Sequence, residues 1–138
     1  MSPAPERLDP RTPVVVGVAA AGQDAPAGEG MDALGLMEEA LRRAGADAGA
    51  PALLRDLERI AVPGGNWSFA DPGRDLARAV GATGATTSLV RVGIPQQTLF
   101  DDAYRRIVAG EISVAAVVGG EAARRSARAR HAGIDLTD

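Results

Sequence analysis

The longest unbroken apolar run lies near the start of the chain, Thr12 to Ala21 (TPVVVGVAAA). Continuous rather than alternating apolarity predicts a strand buried on both faces. Gly22 to Gly30 is rich in Gly, Ala and Pro and predicts a loop. Leu34, Met37, Leu41 and Ala44 then recur at helical spacing. Asp32 can cap that helix and Gly45 can end it. A shorter helix is predicted over Pro51 to Arg59, with Leu53, Leu54 and Leu57 on its apolar side. Ile60 to Pro63 reads as a brief strand, and Gly64 to Ala70 (GGNWSFA) as a loop holding the only tryptophan. Asp71-Pro72 starts the next helix, because Asp caps and Pro suits the first turn. That helix carries Leu76 and Val80 and stops at Gly81. Thr86 to Val92 is rich in β-branched residues and predicts a strand. Gly93 to Gln97 is a turn. Leu99, Phe100, Ala103, Tyr104 and Ile107 mark another helix, ending near Gly110. Ile112 to Val118 predicts a final buried strand, followed by Gly119-Gly120-Glu121 and an Ala/Arg-rich, partly helical tail, Ala122 to Asp138.

Strands alternating with helices in this order predict an α/β fold with a largely parallel sheet. The 138 residues leave room for one domain. Residues 1–11, with Pro, Glu and Asp, read as a disordered lead-in rather than a basic-then-apolar signal. No internal repeat or linker-like block divides residues 12–138.

Composition narrows the chemistry. Aromatics make up 3% of the chain, so the core rests on Val, Leu, Ile and Ala. Stacking platforms for nucleic-acid bases need more aromatics, and a net charge of -3 argues against a phosphate-tracking surface. The chain has no cysteine. That rules out disulfides, thiolate zinc sites and iron–sulfur clusters, and it fits a cytoplasmic protein. No stretch approaches the apolar length of a membrane span.

Several positions bear on function. Gly17 to Gly22 follows a strand but lacks the full glycine fingerprint of a dinucleotide loop. His131, the only histidine, sits between Arg130 and Ala132 with no evident orienting partner, and reads as a surface residue. No ligand spacing points to a metal. Arg124, Arg125, Arg128 and Arg130 form a basic cluster, either an anion site or, more in keeping with charge runs, a solvated helix face. Gly119 and Gly120 stand at the carboxyl end of a strand, where ligands of parallel sheets bind and glycines let backbone come close. A tight strand-to-helix turn explains them equally well. Gly93, Gln96 and Gln97 flank a helix N-terminus, with its free N–H groups and positive dipole end. The glutamines could orient a carbonyl but could not attack it.

The order of these segments resembles the thiolase superfamily. Arg11 to Gly17 (RTPVVVG) is similar to its opening strand. So are the helix with Glu38-Glu39-Ala40-Leu41 and the Ile60 strand. Leu89 to Val92 with the helix from Pro95 to Ile107 resembles the strand and helix that flank the nucleophile. Ala109-Gly110-Glu111 leading to Val114 through Ala122 (VAAVVGGEA) resembles the superfamily's glycine-rich strand end, and is the most specific match. The likeness runs over about residues 11 to 133, in an actinobacterial, acetyl-CoA acetyltransferase-like manner.

The resemblance implies a partial thiolase-like fold, first half only: a mostly parallel sheet with helices on both faces, residues 12–138 forming an incomplete N-terminal domain. It places the catalytic cysteine near Gly93, where none exists, so no catalytic residue is assigned. Gly93, Gln96, Gln97, Gly119 and Gly120 become the substrate-binding candidates. Acyl-CoA is the implied substrate, with no covalently bound cofactor and no metal. The implied function is acyl-CoA handling by an acyltransferase-type protein of lipid metabolism, inactive alone and completed by a complementary thiolase-like chain. The alternative is a non-catalytic scaffold subunit paired with a full-length thiolase-like protein. Either partner, or a second copy, would meet the strand Thr86 to Val92. No nucleic-acid partner is expected.

Overall fold

A three-stranded parallel sheet forms the centre of the protein, seen in a computed structural model that describes residues 7–90 and 93–136. The elements, in chain order, are α1 (Ala33–Asp47), a 3-10 helix (Pro51–Asp56), β1 (Arg59–Pro63), α2 (Pro72–Val80), β2 (Thr86–Val90), α3 (Gln96–Val108), β3 (Ala115–Val117) and α4 (Ala123–His131). The strand order is β2-β1-β3. Ile60 aligns with Thr87 on one side and Ala116 on the other.

β1 is central, and its residues alternate between two helix layers. Ile60 and Val62 join Leu36, Met37 and Leu41 of α1 and Leu76, Ala77 and Val80 of α2 in one buried cluster. Ala61 lies on the opposite face, with α3 packed over β1 and β3. Arg59 shares that side and pairs with Asp102 of α3 at 2.8 Å. Arg106, one helical turn on, holds the same carboxylate at 3.1 Å. Burial pulls the Asp102 pKa upward, but the hydrogen bond from Arg106 and the charges of Arg59 and Arg106 outweigh it. The carboxyl is thereby held below the usual aspartate range.

Both main caps form as the sequence predicts. Asp32 accepts the Gly35 N–H at 2.7 Å, and Asp71 accepts that of Arg74 at 2.9 Å. Gly81 closes α2 with φ 83, a left-handed geometry that favours glycine.

Four elements differ from expectation. The run Thr12 to Ala21 forms no strand. It is extended along the C-terminal half of α1, with Val14, Val15, Val16 and Val18 exposed. No neighbouring strand pairs with it among the described residues, so its apolarity goes unburied. Its anchors are side chains: Asp47 accepts the Val18 N–H at 2.9 Å, and Arg43 donates to the Ala20 carbonyl. A Cβ on Gly17 would lie 2.1 Å from the Ala44 carbonyl oxygen, so only glycine allows this approach. Gly45 does not end α1. It is buried inside the helix against Leu54, and the helix runs on to Asp47. The helix expected over Pro51 to Arg59 is a 3-10 helix of six residues, because Leu57 turns extended and Arg59 enters β1. The strand expected over Ile112 to Val118 shortens to three half-buried residues, since β3 has β1 on one side only. The expected strand end Arg91-Val92 and the lead-in residues 1–6 lie outside the described residues; Arg7 to Arg11 are exposed.

Candidate functional site

The carboxyl ends of β1 and β3 and the first turn of α3 enclose a cleft of about 380 Å3. Pro63, Gly64 and Gly65 form one wall, and Val117, Gly119 and Gly120 another. Gln96 and Phe100 of α3 and Glu121 complete it. The size falls within the range of roughly 300–1,000 Å3 for small-molecule sites.

The two glycines after β3 are there for space. A Cβ on Gly119 would meet the Pro63 ring at 2.6 Å, and one on Gly120 would meet Met37 at 2.9 Å. The loop after β1 is tied down at three points. Gly64 donates to the Val90 carbonyl at 2.8 Å. Asn66 N–H donates to Glu121 Oε1 at 2.7 Å, and Trp67 Nε1 donates to the Gly120 carbonyl at 3.0 Å. Trp67 also stacks on Phe69, with ring centroids 5.3 Å apart. The bonds of Asn66 and Trp67 join segments more than fifty residues apart in sequence.

The structure brings together three of the five candidate residues: Gln96, Gly119 and Gly120 all line the cleft. Gln97 points elsewhere and donates to Asp101 on the exposed side of α3. Gly93 is exposed in the turn before α3, with φ 95 and open space around its Cβ position, and is not among the cleft's lining residues. Glu121 is the member that motif reasoning passed over as a site residue. Its signal was its position directly after a glycine pair at a strand end. It is the cleft's one ionisable lining side chain.

Chemically, the cleft offers the Gln96 amide, the Glu121 carboxylate, close backbone and the N-terminus of α3, which no side chain caps. The Gln96 amide and the N–H groups at the start of α3 can hold and polarise a carbonyl, while the Glu121 carboxylate can only accept hydrogen bonds. None is a thiolate, hydroxyl or amine that would form a covalent acyl intermediate. His131 is exposed in the last turn of α4 and does not line the cleft. Among the described residues, no group of three or more His, Asp or Glu side chains could hold a metal ion. No described helix is long and apolar enough to cross a membrane.

Solved structures share this fold. A monomeric SCP2-thiolase-like protein type 1 from Mycobacterium smegmatis superposes with a TM-score of 0.68 at 31% identity, over 80% of this chain and 24% of that one. This is part of a thiolase-like fold. Two cerulenin-bound structures of OleA from Xanthomonas campestris repeat it with TM-scores of 0.62 and 0.61, each at 21% identity over 70% of this chain and 30% of theirs. The chain thus spans about a quarter of the mycobacterial protein's length. No family model and no curated protein matches the sequence. Within the thiolase-like fold, the cleft sits where the parallel strands β1 and β3 end and α3 begins. The sequence holds no cysteine to place there.

Proposed function

We propose that this protein handles acyl-CoA thioesters in the strand-end cleft without forming an acyl-enzyme, and that a complementary thiolase-like chain completes the site. The observation that carries this reading is the convergence of Gln96, Gly119, Gly120 and Glu121 in one cleft of a thiolase-like fold whose lining has no thiolate, hydroxyl or amine nucleophile. The cleft can orient a thioester carbonyl, while attack must come from elsewhere. The exposed apolar residues of α3 support the need for a partner. Phe100, Tyr104 and Val108 recur every four residues and are all exposed.

The test is co-expression with a thiolase-like chain that carries the other half of the fold. CoA release from an acyl-CoA is expected from the pair and from neither chain alone. Intact-mass measurement should find no acyl adduct on this chain. A pair that releases no CoA above background overturns the reading.

The exposed Leu89 on the open edge strand β2 favours a second reading, a non-catalytic scaffold paired through that edge. Charged substitutions at Leu89 and Val90 should then abolish oligomers, and an unchanged mass by light scattering counts against it.

A further inference from the structure

We propose that a second cavity, at the start of α4, binds a phosphate group carried by a small molecule. The cavity is about 240 Å3 and lies between the loop around Gly22 and the first turns of α4. It is smaller than the roughly 300 Å3 at which sites for whole ligands begin, so it takes one compact group. Arg124, Arg125 and Arg128 line it together with Glu121. The Glu121 carboxylate already accepts the Asn66 N–H through Oε1. Arg128 donates to the Ala25 carbonyl and pairs with Asp24 at 2.7 Å; the Asp24 side chain is 77% exposed, so that ion pair is solvent-screened and exchangeable.

The helix itself points to an anion. Arg124 and Arg125 occupy the first turn of α4, at the positive end of the helix dipole, where cations are disfavoured. That turn has no acidic residue and no side-chain cap. A phosphate seated in the cavity would lie beside the guanidinium groups of Arg124 and Arg128 and accept first-turn N–H donors. Guanidinium forks match phosphate oxygens bidentately. The chain as a whole is acidic, so this concentration of positive charge is local. A local conflict of this kind is expected where a site has a ligand to satisfy. The phosphate could be free diphosphate or the phosphate of CoA, and the proposal does not rest on acyl-CoA handling in the strand-end cleft.

Calorimetric titration of inorganic pyrophosphate into the full chain at low salt tests it. The double variant Arg124→Ala/Arg128→Ala should weaken binding by about tenfold or more, given charge-assisted bonds to both groups. Arg124→Gln alone, at an exposed side chain, gives a smaller loss in the same direction without disturbing the fold. Arg130→Ala removes an equal charge from the same helix outside the cavity and should change affinity less than about twofold, since exposed charges are screened. Displacement of pyrophosphate by CoA would identify a CoA phosphate as the occupant. Failure to displace it would leave the free anion as ligand and the site intact. Equal weakening by Arg130→Ala, or no binding up to about 10 mM, ten times a 1 mM affinity, overturns the proposal.

Discussion

α1 and α3 lie on opposite faces of the same sheet and are finished to different degrees. α1 buries Leu36, Met37 and Leu41, with Met37 at 0% exposure. α3 buries Leu99 alone, and Phe100, Tyr104 and Val108 remain 47%, 53% and 42% exposed. Charge compensates on the second side. The Arg59–Asp102–Arg106 cluster anchors α3 where apolar contact is thin. Hydrophobic burial therefore carries the α1 face and ion pairing holds the α3 face, which leaves the latter's apolar stripe exposed.

The sharpest way to break this contrast is a matched pair of truncations. Met37→Ala should cost about 2–5 kcal/mol, as deletion of a fully buried side chain does. Tyr104→Ala should stay within about 0.5 kcal/mol. Urea denaturation of both variants checks this, and equal losses would show α3 to be as well packed as α1. Next in size is Asp71→Ala, which removes the cap of α2 and the acceptor for Thr87 Oγ1 at 3.0 Å. The expected loss is about 1 kcal/mol, read by the same measurement. The smallest effect concerns the α3 anchor. Asp102 has its pKa lowered in the folded state from a usual value near 3.8. Its contribution is fully present above that value and is lost as pH falls through the lowered folded pKa. Asp102→Asn should thus flatten the acid limb of the stability profile while leaving Met37→Ala as costly as before. A profile that keeps its slope would place the anchor elsewhere.

Local signals were legible in the sequence wherever a residue's own chemistry decides the outcome. Asp32 and Asp71 cap, Gly81 closes a helix, and Ile60 to Pro63 forms the central strand, because capping and β-branching act over a few residues. Long-range pairing was not legible. The Thr12 to Ala21 run has the composition of a buried strand, yet a strand needs a neighbour, and none pairs with it among the described residues. Gly45 has the composition of a helix stop, but the approach of Leu54 gives it a packing role instead. The site divides in the same way. Gly119 and Gly120 were readable from their place after a strand. Glu121 joined them only once the fold carried Asn66 to it across 55 residues.

Those cross-chain ties have an optical consequence. Trp67 is the only tryptophan in the protein, and it is hydrogen-bonded to Gly120 and stacked on Phe69 beside the cleft. Its emission is therefore a built-in reporter of one place. A loosened loop would wet the indole and shift the emission to the red, so the state of this corner can be read without a label.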